Sequence, residues 1–430
     1  MGTPVSNTRA PLRIPLVTRL PVKVSRAALA AGALTLTMAV SGAAMFEPSP
    51  YEYMVLVLLG FACLFGLSLH RGLAPLLALL ALYNLGGILV FASSPINTQS
   101  LQFAASSLFM ALSAILIAAL LAENPQRFSS LERGYVFAAV LSSTLGAVGY
   151  FDLFSGAFDS LTLYGRAKAL FKDPNVYGPF LIVPCLLLTY DVLTKPLGRS
   201  MFRALLLLLL VLGVFLSFSR AAWGAFLGAS ALLFLIVYIN EMRQIYRIRL
   251  LCMLALGFIL LVLALVSALS LEPVSAMFFE RARLVQDYDS ARLGRFARHL
   301  LGFFHITEYP LGIGPGTFGK LFTEDEHNVY LKGFTTYGWL GGLSYTSLVL
   351  LTLLKATPLI FKPRPWQKYT VCFFCAFVLH SLLGFIIDTD HWRHFFLILA
   401  GLWAVIAMEQ KTVISEELST RTIAPPVLRS

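Results

Sequence analysis

The chain has 430 residues, 58% apolar and only 13% charged, with a mean hydropathy of +0.77 and a formal net charge of +11. A water-soluble domain is nearer half apolar and a quarter charged, so a soluble globular protein is excluded. Transmembrane β-barrels alternate apolar and polar residues. The unbroken runs here, such as 203–219 and 250–270, leave α-helices as the spanning element and imply an all-α polytopic membrane protein.

Residues 1–27 form a basic tail, with Arg9, Arg13, Arg19, Lys23 and Arg26 and no acid, and the positive-inside bias puts it in the cytoplasm. Twelve candidate spans then start near residues 28, 52, 74, 102, 132, 176, 202, 221, 249, 335, 367 and 394. They divide the chain into spans one to nine over 28–270, a large outer loop over 271–334, spans ten to twelve over 335–410 and a cytoplasmic tail over 411–430. Alternating sides from the first span leaves most of the Lys and Arg inside and a slight acidic excess outside. The basicity therefore reports topology, and nucleic acid is not an expected partner. "SGAA" at 41–44 has the small residues of a signal-peptide cleavage site, but the apolar run and basic leader are long for one, which favours a retained anchor. All five cysteines fall in spans. Cys372 and Cys375 have CxxC spacing without further ligands, so they are read as small apolar residues on one helix face.

Basic residues on the outer side run against the topological bias and call for a reason: binding something anionic, or pairing with the acids of the same loops. Four stretches collect them. The first, "LFKDPNVYGPFLIVP" (170–184), carries Lys172 and Asn175 and follows Arg166; its Pro and Gly predict an irregular start to the sixth span. In the second, "SFSRAAWGAFLGA" (217–229), Arg220 lies between two long apolar runs with no room for a solvated loop. Such an arginine either snorkels or pairs with an anion.

The third stretch, 286–321, spaces Arg292, Arg295 and Arg298 by three along one helical face, with Asp289 suited to the N-terminal turn, and is stopped by "PLGIGPGTF". No strand precedes those glycines, so a nucleotide-binding loop is rejected. The fourth is "EDEHNVYLKGFTTYGWLGG" (324–342), in which His327 and Asn328 sit at the mouth of an apolar helix behind an acidic cluster. Asp325 or Glu326 could raise the basicity of His327 or merely solvate a loop end. Gly338, Gly341 and Gly342 are expected to let the tenth span pack closely as a rigid helix. His391 and His394 beside Asp388 and Asp390 are the nearest thing to a metal cluster, but no set has metal-ligand spacing.

These residues carry a resemblance. "HNVYLKGFTTYGWLGGL" resembles the His-Asn-x-Tyr-Leu…Gly-x-x-Gly signature of the O-antigen ligase and polymerase superfamily of bacterial envelope glycosyltransferases. "SRAAWGAFLGA" resembles its Ser-Arg-Gly/Ala-x-Trp segment, and "DSARLGRF" with "PLGIGPGTF" its Asp-x-x-Arg and Pro-x-Gly-x-Gly elements. "KDPNVYGPFL" and "IIDTDHWRHFFLILAGLWA" (386–404) fit the same group, in order, over residues 165 to 405.

The resemblance implies a C-type glycosyltransferase-like fold of about twelve helices with one large periplasmic loop, in the bacterial inner membrane, with the site facing the periplasm. It implies an undecaprenyl-diphosphate-linked glycan as donor. The acceptor is lipid A–core for a ligase, or another lipid-linked repeat unit for a polymerase. No metal or other cofactor is implied. The family's key residues fall on Arg220, Arg292 and His327 as catalytic groups. Asn328, Arg166, Lys172, Asn175, Arg295, Asp289 and Arg393 stand beside them as candidate substrate contacts. Arginine forks can neutralise a diphosphate leaving group, and a histidine of near-neutral pKa can take the acceptor proton; an acceptor-orienting role for His327 stays open. A transporter of polysaccharide or lipid would also have twelve helices, but here the charges gather on one outer side and no inverted repeat is visible.

Overall fold

The computed structural model describes residues 26–94, 96–282 and 295–423. Among these, helices lie at all twelve expected positions: α1 Arg26–Ala39, α2 Pro50–Phe65, α3 Ala74–Leu89, α4 Thr98–Glu123, α5 Arg127–Tyr150, the pair α7 Pro174–Phe180 and α8 Ile182–Thr194, α9 Leu197–Leu216, α10 Arg220–Asn240, α11 Gln244–Leu269, α15 Val329–Ala356, α16 Gln367–Leu383 and α17 Arg393–Ile423. By length and composition, eight of the helical segments in the described residues can cross a membrane, and three shorter ones are apolar. Shorter helices fill the connections: α6 Ala157–Leu161, α12 Glu272–Ala282, α13 Arg295–Glu308 and α14 Thr317–Phe322.

α11 shows what solvent this surface meets. It is apolar all round, and Leu250 is its one buried residue, so Phe258, Leu263 and Val266 stand exposed. A helix hydrophobic on every face and bare on nearly all of them is stable only against lipid. This is a polytopic helical membrane protein. The packed interior is built from α3 on α15, α1 on α5, and α4 on α17.

Cross-contacts sort the helix ends into two groups. At one end, Lys368 at the start of α16 meets Glu132 in the first turns of α5 (2.5 Å) and Asp191 near the end of α8 (3.0 Å), and Arg249 of α11 reaches the Lys195 carbonyl. At the other end the starts of α2, α4, α7, α10, α15 and α17 converge. Four of those starts have a side-chain cap: Asn97 for α4, Asp173 for α7, Ser219 for α10 and Asn328 for α15.

The tenth span is not the straight, rigid helix expected. Gly338 has φ 66° and ψ −169°, outside the helical region, and a Cβ built on Gly333 would lie 3.3 Å from the Gly342 Cα. Nine residues of continuous helix would separate those positions by about 13 Å. The chain therefore folds back at Gly338, leaving 329–337 as a short helix outside the long segment that follows. The bend is clamped by "PLGIGPGTF": Trp339 N–H donates to the Pro310 carbonyl (2.9 Å) and Ile313 N–H to the Thr335 carbonyl (2.7 Å). Those two glycine-bearing stretches need each other, since a Cβ on Gly338 would meet Leu311 backbone at 2.5 Å.

Candidate functional site

The convergent end holds two polar centres, one on each side of α7. The first surrounds Arg220. A hairpin of β1 (Thr162–Leu163) and β2 (Arg166–Ala167) turns through Tyr164 and Gly165, both at positive φ, as the tight primed turns require. It delivers Arg166 into the interior, 6% exposed, where Nε donates to the Ser217 carbonyl (2.9 Å) and Nη2 to Asn175 Oδ1 (2.8 Å). Asp173 Oδ1 accepts the Asn175 N–H (2.6 Å). Arg166 and Asn175 thus brace the turn 217–219, which sets Arg220, half-buried, at the first position of α10. A Cβ on Gly178 would strike Ser217 and Ala222, so α7 lies directly on this turn.

The second centre is built around Asp388, in the connection between α16 and α17. His327 Nδ1 lies 2.7 Å from Asp388 Oδ2, and Lys332 Nζ lies 3.3 Å from Oδ1 and 3.5 Å from Asp390 Oδ2. Burial pushes the Asp388 carboxyl up, but the Lys332 ammonium and the His327 bond outweigh it and hold the group below the ordinary carboxylate range. Asp390 is likewise driven up by burial and pulled down further by Lys332 and His391. An ionised carboxylate only accepts, so His327 Nδ1 carries the proton and Nε2 carries the lone pair. His327 has φ 49°. A non-glycine residue there costs on the order of 1–3 kcal/mol and is held in place by its surroundings, a pattern concentrated at functional sites.

Lys332 also sits 5.3 Å over the Phe103 ring, and His391 bridges Asp390 Oδ2 (2.9 Å) to the Phe103 carbonyl (3.3 Å). Arg393 is ion-paired with Glu52 and lies 3.8 Å from Glu47, whose other oxygen is 3.0 Å from Lys172 Nζ. Glu326 is 1% exposed and accepts the Thr335 hydroxyl. Burial pushes its carboxyl up to about 7, against that hydrogen bond, its own backbone and Lys332.

Placed in the structure, the residues singled out in the sequence separate. His327 and Arg393 lie at the Asp388 centre or its rim, with Lys172 beside them; Arg220, Arg166 and Asn175 form the other centre. Asn328 spends its side-chain oxygen on capping α15, accepting from Tyr330 and Leu331 N–H at 3.1 Å each. Asp289 and Arg292 lie outside the described residues, and Arg295 opens α13. Arg298, 3% exposed, is paired with Glu324. The carboxylate partner of His327 is Asp388, not the adjacent Asp325 or Glu326. Asp388, Lys332 and Glu52 are the members that local reading did not assemble; the signals were a lysine just inside an apolar helix and the polar run "DTDHWRH". Among the described residues no group of three or more His, Cys, Asp or Glu could hold a metal ion.

The family model described as O-antigen ligase matches residues 205–346. That match supports the resemblance to the O-antigen ligase and polymerase superfamily over this segment. No curated protein matches. The matched segment runs from α9 to α15 and includes Arg220, His327 and Lys332, whereas Asp388, Arg393 and Lys172 come from outside it. The match supports glycan transfer of the ligase/polymerase type, with lipid-linked glycan substrates and a glycan acceptor.

Proposed function

We propose that the protein transfers a glycan from undecaprenyl diphosphate to lipid A–core at the periplasmic face of the inner membrane, as an O-antigen ligase. The observation that carries this reading is the His327–Asp388 pair, which leaves a basic imidazole nitrogen at the end of the bundle where Arg220 also lies. His327 Nε2 takes the proton of the acceptor hydroxyl as its oxygen bonds to the anomeric carbon of the donor glycan. The bond from that carbon to the diphosphate oxygen breaks, and undecaprenyl diphosphate departs with the electron pair. Arg220, with Arg292, neutralises the charge that grows on it. The proton on His327 then passes to solvent or to the departing diphosphate.

Joining two lipid-linked repeat units uses the same step with a different hydroxyl. Transfer by purified protein in detergent, with undecaprenyl-diphosphate glycan and either lipid A–core or a second lipid-linked unit as acceptor, tests the proposal. His327→Ala is expected to bind donor lipid normally and to lose about 10²–10⁴-fold in rate. Product formed only with the second lipid-linked unit identifies a polymerase, and no product with either acceptor returns the protein to the transporter class.

A further inference from the structure

The convergent end contains a cavity of about 1100 Å³ that reaches from the Asp388 centre into the membrane-spanning layer. Its inner wall is apolar and aromatic, with Phe109, Met110, Tyr135, Phe180 and Leu397. Its rim carries Gln99, Gln102, Phe103, Asp388, His391 and Trp392. Pockets for single drug-sized ligands measure roughly 300–1,000 Å³, so the space is large enough for several sugar residues.

The charges on the rim discriminate between head groups. Lys172 is paired with Glu47, Arg393 with Glu52, and Lys332 with Asp388 and Asp390. A diphosphate is held by cations whose charge is not already spent. A rim of paired ions, carboxamides, imidazole and ring faces instead offers alternating donors and acceptors beside flat apolar surfaces, which is what the hydroxyls and C–H faces of an uncharged sugar require.

We propose that this cavity holds the uncharged sugar end of the acceptor glycolipid, with the donor diphosphate on the Arg220 side of α7 and the two substrates meeting at the open rim beside His327. Val176 and Phe180 of α7 face the cavity, while Gly178 packs on the Arg220 turn. The accepting hydroxyl thereby enters beside Asp388 and its His327. The assignment rests on the transfer reading above and adds which substrate takes which side.

The test uses full-length protein in lipid nanodiscs and two probes, fluorescently labelled core oligosaccharide (mild-acid-released, dephosphorylated) and undecaprenyl diphosphate. Gln102→Leu and Gln99→Leu each remove a carboxamide from the cavity rim. Each is expected to weaken oligosaccharide binding about tenfold with undecaprenyl diphosphate affinity unchanged, and Arg220→Ala to show the reverse. In the transfer assay the two cavity variants should raise KM for the acceptor and not for the donor. Both glutamines are exposed, so neither substitution removes a buried contact on which folding depends. Wild-type protein that fails to bind the oligosaccharide overturns the inference. So does loss of undecaprenyl diphosphate binding in Gln102→Leu, or an unchanged acceptor KM in both variants. If wild-type protein binds the oligosaccharide as described and yet transfers nothing, the subsite stands and the transfer reading fails alone.

Discussion

Asp388→Asn separates positioning from folding at this centre. The wild-type carboxylate accepts from His327 Nδ1 at 2.7 Å, which fixes the tautomer with Nε2 basic. A carboxamide can turn its NH2 toward Nδ1, and the imidazole then carries its proton on the wrong nitrogen. A carboxylate that orients a catalytic imidazole is worth up to about 10⁴ in rate in enzymes with a nucleophile–histidine–carboxylate triad. A loss of about 10²–10⁴ in kcat is therefore expected, or about 3–5 kcal/mol of activation free energy. The stability cost is smaller, about 1.5–3 kcal/mol for one hydrogen bond to a charged group, because Lys332 keeps Asp390 at 3.5 Å.

The pH dependence follows from the sign of the shift. Asp388 is held below its ordinary value of 3.8. Its stabilisation is present above that pH and is lost only as pH falls through the lower folded-state value. The contribution of the ionised Asp388 carboxylate to the gap in Tm between wild type and Asp388→Asn should thus persist at every pH from about 5 to 9. The assay is single-turnover glycan transfer across that range, with thermal unfolding in the same detergent. Asp388→Glu keeps the carboxylate and should recover part of the rate. An Asp388→Asn protein with wild-type kcat would refute the dyad, and a rate loss that tracks a collapsed Tm would assign Asp388 to folding alone.

Arg220→Ala should abolish transfer without loss of expression. Lys should rescue it only in part, since it cannot fork to a diphosphate; retained activity in the alanine variant would remove Arg220 from the mechanism. With arginine as the neutralising group, transfer should also persist in excess chelator, and a loss restored by a divalent ion would contradict that assignment. Gly338→Ala puts a side chain at φ 66° and 2.5 Å from Leu311 backbone. It should cost at least the roughly 1–3 kcal/mol of the backbone strain, read as lower Tm and activity; an unaffected variant would mean the bend is not needed. Glu326, pushed up to about 7, favours the folded state below its ordinary value of 4.5 and loses that contribution as pH rises through 7. Relative to Glu326→Gln, wild-type protein should therefore lose Tm between pH 5 and 8, by on the order of 3 kcal/mol at most; parallel curves would show that Glu326 titrates normally.

The positions of the helices were legible in the sequence because a bilayer imposes one local rule. A segment of about 20 apolar residues must satisfy its own backbone, and it does so as a helix wherever it occurs. The same rule drew attention to the arginines expected on the outer side, since any charge off the expected side stands out against so uniform a background. Capping residues such as Asn97, Asp173 and Ser219 also act within one turn, so they too are local.

What only the tertiary structure decided is which polar groups meet. Asp388 lies 61 residues from His327, and nothing in either segment names the other. Their pairing follows from packing that sets Val329 N–H on the Gly384 carbonyl (2.8 Å) and Tyr330 Oη on the Ser381 carbonyl (2.7 Å), which brings the end of α16 against the start of α15. The break at Gly338 was equally hidden, because a glycine in an apolar run serves close helix packing as readily as a reversal. The choice is made by the glycine-bearing stretch 310–318 that fills the bend, a contact between segments, and sequence periodicity carries no record of such contacts.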